Sequence, residues 1–156
     1  MESWDKEKVE QAKKNLEGAE LKGLDLSGAD LKNANLISAN LVSANLSGSD
    51  LSGAKMFGAK AMRADLRNAN LSGASLLKAN FSRANFQESN LNDADIMGAN
   101  LSDTNLTKAS LIRTKLVEAN LLGVNLTGAD LTEANFRGGT SEKVITAVGP
   151  IWEKEN

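Results

Sequence analysis

The side chains that carry out most enzymatic chemistry are absent from this chain. It has no His, Cys or Tyr, which removes the usual general base, thiol nucleophile and phenol. Serines such as Ser27, Ser47 and Ser52 have no imidazole to activate them. Carboxylates are plentiful, but Asp25, Asp30, Asp50, Asp65, Asp95 and Asp130 all fall on multiples of five. Such spacing assigns them to one repeated outward slot, as solvated surface rather than an acid–base dyad. The glycines keep the same rhythm, so neither a P-loop nor a dinucleotide fingerprint is present. Without thiolate or imidazole, and with carboxylates this dispersed, no metal site is expected. The residues predict a protein that is not an enzyme and holds no cofactor.

The chemistry that remains is recognition. Residues 55–83 carry Lys55, Lys60, Arg63, Arg67, Lys78 and Arg83 against Asp65 alone, a net +5 in a chain whose overall charge is −2. The flanking stretches are acidic, at −3 for 17–54 and −4 for 84–136. Arg63 and Arg83 lie 20 residues apart, as do Arg83 and Asp103. The two arginines form either an anion or acidic-partner site or a solvated pair in which Asp103 neutralises Arg83. With a pI near 5.3 and few aromatic residues, direct nucleic-acid binding is not expected.

The element that positions these groups is a repeat. From Leu16 to Phe136 Leu, or an apolar residue standing in for it, recurs at every fifth position, giving 25 consecutive units. Nineteen centres are Leu; the others are Met56, Ala61, Phe81, Phe86, Ile96 and Phe136. Two residues before the centre stands Ala in 18 units, and one before it Asn or Asp in 19. A fixed period of this kind makes a solenoid. A helix would need spacings of three and four, and a step of five turns about 500° around one, off any single face. An extended piece fits: Ala and Leu, two apart, point inward while the intervening Asn or Asp points out. The last two positions, rich in Gly, Ser and Asn, make a corner.

The Ala-(Asn/Asp)-Leu-x-x consensus, as in Ala34-Asn35-Leu36 and Ala129-Asp130-Leu131, resembles the pentapeptide repeat family over residues 14 to 138. The resemblance implies an all-β solenoid, a right-handed quadrilateral β-helix with four units, or 20 residues, per coil. The chain would then hold about six coils, rising roughly 30 Å at the strand spacing. Some members act as DNA mimics on type II topoisomerases, which implies an alternative role as a gyrase modulator. That role requires a long, continuously negative rod. Here the basic belt interrupts the acidic surface, and the beat never slips to insert a loop between coils.

A 20-residue coil is also marked in the residues themselves. The position after each centre faces outward, yet nine of these are apolar. Ile37, Phe57, Leu77, Met97 and Val117 follow one another by 20, and Val42, Met62 and Leu122 form a neighbouring set; Ile112 alone is outside both. Inside, undersized Ala61 lies 20 residues from oversized Phe81. A contiguous outward apolar stripe marks a contact surface. Its cover is expected to be a protein partner or a second copy, with Ile37, Phe57, Leu77, Met97, Val117, Val42 and Met62 supplying area and Arg63 and Arg83 orientation. Alternatively the chain's own tail covers it through Val144, Ile145, Val148, Ile151 and Trp152.

The ends depart from the beat. Residues 1–15 read as a helical cap, with a short polar helix over 3–14 and Ser3 as its N-cap. Residues 16–138 form the repeat body. Residues 139–156 read as a C-terminal helix and tail, capped at Thr140 or Ser141 and running to about Val148. Both ends are expected to plug the open stack. No apolar run is long enough for a membrane span. The start lacks the regions of a signal peptide, so the cytoplasm is the expected location.

Overall fold

The computed structural model describes residues 3–138. Within them the outward Asn/Asp position of each unit pairs in parallel with the same position 20 residues on, from Glu20–Asn40 to Lys115–Asn135. All 20 pairings keep that register. A coil of 20 residues is therefore four five-residue sides. Each pairing is a single bridge, because a corner every five residues leaves no room for a longer strand. The bridging residue is bonded in both directions: the Asn40 amide donates to the Ala19 carbonyl at 2.9 Å, and the Asn40 carbonyl accepts from the Leu21 amide at 2.8 Å.

The corners are uniform. The second residue after every centre has positive φ, at 14 non-glycine and 11 glycine positions, which accounts for all 25 units. With the preceding residue outside that region, this is a type II turn. It closes with a bond from the fourth residue's amide to the centre's carbonyl, as from Ala59 to Met56 at 3.0 Å. At two glycine corners an added Cβ would also make the side chain one coil below shift. A Cβ on Gly53 would run into the Asn33 amide oxygen, and one on Gly123 into the Asp103 carboxylate.

Stacked along one column, the side chains of Asn85, Asn105 and Asn125 do not bond to one another as an amide ladder would. Each side-chain oxygen instead accepts from the amide two residues on, at Gln87, Thr107 and Thr127, each at 3.0 Å. That is an Asx turn, which fixes the entry to the corner. Bonds between the outward side chains of successive coils occur at other positions, as from Asn40 to Glu20 at 2.7 Å and from Asn120 to Asn100 at 3.2 Å.

The interior is a single apolar column set. Every centre from Leu16 to Leu126 is 3% exposed or less. Phe81 and Phe86 occupy adjacent sides with ring centroids 5.2 Å apart and planes tilted by 59°, a favourable aromatic arrangement. Ala61, wholly buried, sits one coil below Phe81 in the same column.

At the N-terminal end, α1 (Lys6–Gln11) is followed by a 3-10 turn over Lys13–Asn15. Its N-cap is Asp5, not Ser3: the Asp5 carboxylate accepts from the Lys8 amide at 2.9 Å. A carboxylate at this position satisfies a free amide and also meets the positive helix end. Val9 is fully buried and Trp4 packs on the core. Glu10 accepts from the Asp30 amide at 2.8 Å, and the Lys13 carbonyl accepts from the Asn35 amide at 2.7 Å. The helix thus closes the first coil. The expected C-terminal helix, with Thr140 or Ser141 as its cap, and the tail residues Val144, Ile145, Val148, Ile151 and Trp152 lie outside the described residues.

Candidate partner-binding surface

Five carbonyl bonds hold the apolar column in line. The carbonyls of Ile37, Phe57, Leu77, Met97 and Val117 accept from the amides of Gly18, Ser38, Gly58, Lys78 and Gly98, at 2.8 to 3.0 Å. Each residue therefore stands directly over its equivalent one coil away, about 4.8 Å distant. Phe57 is 46% exposed and Met97 38%, whereas Ile37, Leu77 and Val117 are half-buried. Glu17 stands in the column below Ile37, and Arg137 above Val117. Lys55, Lys78, Asp95, Lys115 and Glu118 border it. An apolar centre inside a charged rim has the anatomy of a contact surface.

The second set is less continuous. Val42 and Met62 are half-buried neighbours on the following side, and Leu122, 40% exposed, is separated from them by Ser82 and Ser102. A groove of about 400 Å³ opens here, lined by Val42, Met62, Arg63, Ser82, Arg83, Asn100, Ser102 and Asp103. Both guanidinium-bearing residues are exposed corners of the type II turns.

The expected Arg83–Asp103 ion pair does not form; among the described residues neither Arg63 nor Arg83 has an ion-pair partner. The geometry of the corner explains it. A side chain at the positive-φ position lies over the corner of the next coil, as Asn33 does over Gly53 and Lys78 over Gly98. Asp103 accordingly leans over Gly123, away from Arg83. An acid below a base pairs readily in this geometry: Arg113 donates to Asp93, one coil below, at 2.7 and 2.9 Å. That guanidinium holds the Asp93 carboxyl below the usual carboxylate range.

The basic belt is weaker than its formal charge. Arg67 donates to Asp65 with its closest contact at 2.6 Å, and this hydrogen-bonded pairing lowers the Asp65 pKa. The cations left on the belt are Lys55, Lys60, Arg63, Lys78 and Arg83. Among the described residues no group of His, Cys, Asp and Glu is arranged to hold a metal ion. No helix among them is long and apolar enough to cross a membrane.

In keeping with the 20-residue register, the family model of pentapeptide repeats matches in 8 copies over residues 15–60, 64–103 and 104–139. The chain belongs to the pentapeptide repeat family. Among solved structures, it is similar to HetL, a pentapeptide repeat protein involved in heterocyst differentiation regulation from Nostoc sp. strain PCC 7120. That match is at 32% identity over 86% of this chain and 66% of that one, with a TM-score of 0.33. This pentapeptide repeat protein thus spans just under two thirds of the length of HetL. A pentapeptide repeat protein from the Arabidopsis thaliana thylakoid lumen matches at 30% identity over 78% of this chain and 71% of that one, with a TM-score of 0.38. QnrB1, a plasmid-mediated fluoroquinolone resistance protein, matches at 19% identity over 91% of this chain and 87% of that one, with a TM-score of 0.55. The last shows a shared fold. No curated protein sequence matches the chain.

Proposed function

We propose that this chain is a non-enzymatic scaffold, a right-handed quadrilateral β-helix of about six coils, that presents one side to a protein partner or to a second copy of itself. The observation that carries this reading is the outward column Ile37–Phe57–Leu77–Met97–Val117, with Phe57 and Met97 both well exposed. Leaving apolar area in water is unfavourable by roughly 25 cal/mol per Å², so a few hundred Å² of it favours a covered working state. The side is stiff, since every residue in it is anchored by a backbone bond to the next coil. A preformed surface loses little freedom on binding. Arg63 and Arg83 on the neighbouring side would set orientation and speed encounter.

The topoisomerase reading has less support. A phosphate-mimicking surface needs unbroken negative potential. Lys55, Lys60, Arg63, Lys78 and Arg83 break it in the middle of the stack, and QnrB1 shares the fold at 19% identity.

The experiment is a solution mass measurement alongside capture of partners, comparing wild type with Phe57→Glu/Leu77→Glu. Loss of self-association or of a captured protein, with the melting temperature held, supports the reading. Unchanged mass and capture would remove the column from consideration.

A further inference from the structure

The groove beside the apolar column carries its own polarity. Val42, Met62, Ser82 and Ser102 stand one above another at 20-residue intervals, so the groove runs along the coil axis. Three coil spacings give it a length of about 14 Å, the span of roughly four extended residues. Along that length the wall changes character in a fixed order. Val42 and Met62 make an apolar lower end, Arg63 and Arg83 a cationic middle, and Asp103 an anionic top.

The two arginines are what make the groove unusual. They are about 4.8 Å apart along the stack, repel one another mildly, and have no carboxylate among the described residues to offset them. The only acid in line, Asp103, leans away over Gly123. Two other arginines are paired, Arg67 with Asp65 and Arg113 with Asp93. Guanidinium groups in this state are donors waiting for carboxylates, and their planar fork favours bidentate contact. The backbone of the side is already bonded from coil to coil, so an occupant cannot add a strand here. Recognition must come from side chains.

We infer that this groove binds an extended acidic segment of a protein partner, with an apolar residue over Val42 and Met62, acidic residues against Arg63 and Arg83, and a basic residue towards Asp103. Charge complementarity decides the class. A free anion would use only the arginines and leave the apolar end and Asp103 without a role, whereas a peptide of this order uses all three parts. The 400 Å³ of space is also far more than one small anion fills. The proposal rests on the scaffold reading and names what the partner offers next to the apolar column.

The test uses the full chain and fluorescently labelled short peptides of the order apolar–acidic–acidic–basic, read by anisotropy. Controls replace both acids by Gln, or reverse the order, and inorganic phosphate serves as competitor. The disruptive variant is Arg63→Gly/Arg83→Gly, because glycine keeps the positive-φ corner that both positions occupy. The expected result is binding that weakens at least tenfold both in that variant and with the Gln peptide. Asp103→Asn should remove the preference for the basic end. Equal binding of the Gln or reversed peptide, no effect of the glycine variant, or displacement by phosphate as effective as by unlabelled peptide would each overturn the assignment. Phe57→Glu/Leu77→Glu separates the two claims, since it should leave peptide affinity unchanged. Failure of the peptide with column-dependent capture intact would end the groove assignment alone. Peptide binding with capture that ignores the column would end the scaffold reading as proposed.

Discussion

A hydroxyl at the inward alanine position is accommodated when it finds a carbonyl. Ser49 donates to Leu46 at 2.7 Å, Thr104 to Leu101 at 2.8 Å and Thr114 to Leu91 at 2.8 Å. Ser89 is equally buried and its oxygen has no partner. A buried, unsatisfied hydroxyl costs about 1 to 3 kcal/mol. Ser89→Ala restores the consensus residue and is expected to raise stability by about 1 kcal/mol, seen as a higher melting temperature. Thr104→Ala, which removes a bonded hydroxyl, should give no gain. At this scale the sequence was only partly legible. The alternation of inward and outward residues follows from the five-residue beat. The cap at Asp5, the Asx role of the asparagines and the failure of Arg83 to meet Asp103 do not, because each depends on where a side chain leans from its corner.

Most five-residue units are held by two local devices, a type II corner and the Asp carboxylate or Asn amide that caps its entry. Asp130 accepts from the Thr132 hydroxyl at 2.6 Å and from the Thr132 amide at 3.0 Å, and both bonds lower its pKa below the ordinary 3.8. Asp25, Asp30, Asp65 and Asp93 are lowered likewise. A carboxyl held ionised by folding binds fewer protons folded than unfolded. Its contribution is present above the unfolded value of about 3.8 and is lost as pH falls through the lower, folded value. The melting temperature is therefore expected to fall as the pH drops below about 4. Asp130→Asn keeps the acceptor, as Asn125 shows with Thr127. It should leave neutral-pH stability little changed and make the acid-side fall smaller. A fall of undiminished size in that variant would count against this linkage.

The interior pairing of elements gives a second test. Ala61 and Phe81 are stacked in one column, an arrangement in which the ring is expected to take up the space that alanine leaves. Phe81→Leu alone should leave a cavity and Ala61→Leu alone should overpack, each costing roughly 1 to 3 kcal/mol. The double variant restores two consensus leucines and should recover much of that loss. Coupling of about 1 kcal/mol or more in the cycle would establish the contact. Simple additivity would refute it. The stacking of Ala61 under Phe81 was visible as a 20-residue spacing; the tilt of Phe81 against Phe86 on the next side was not, since it crosses a corner whose angle only the fold supplies.

The whole molecule is a rod whose sides differ in chemistry. One carries the apolar column, the next the groove with Arg63 and Arg83, and the basic belt sits mid-stack between acidic stretches. That layout predicts no effect on topoisomerase supercoiling at micromolar concentration, measured on plasmid DNA, because a broken negative surface cannot stand in for a run of phosphates. Potent inhibition, or protection of the enzyme from a drug, would promote the DNA-mimic reading. The existence of the column was legible because the repeat assigns every residue a side and a direction. Its cover was not, because neither spacing nor burial identifies what lies against an exposed side, and the tail residues that could reach it are outside the described part of the chain.

The most direct measurement of the central claim is the solution mass and partner capture of the Phe57→Glu/Leu77→Glu variant beside wild type, with a variant lacking residues 140–156 run in parallel. Carboxylates at these two outward positions should leave the melting temperature near that of wild type while abolishing self-association or capture. If the tail is the cover, its removal should instead increase association. A variant that melts as wild type does, with association, capture and solubility all unchanged in both proteins, would contradict the account: the column would then be ordinary surface.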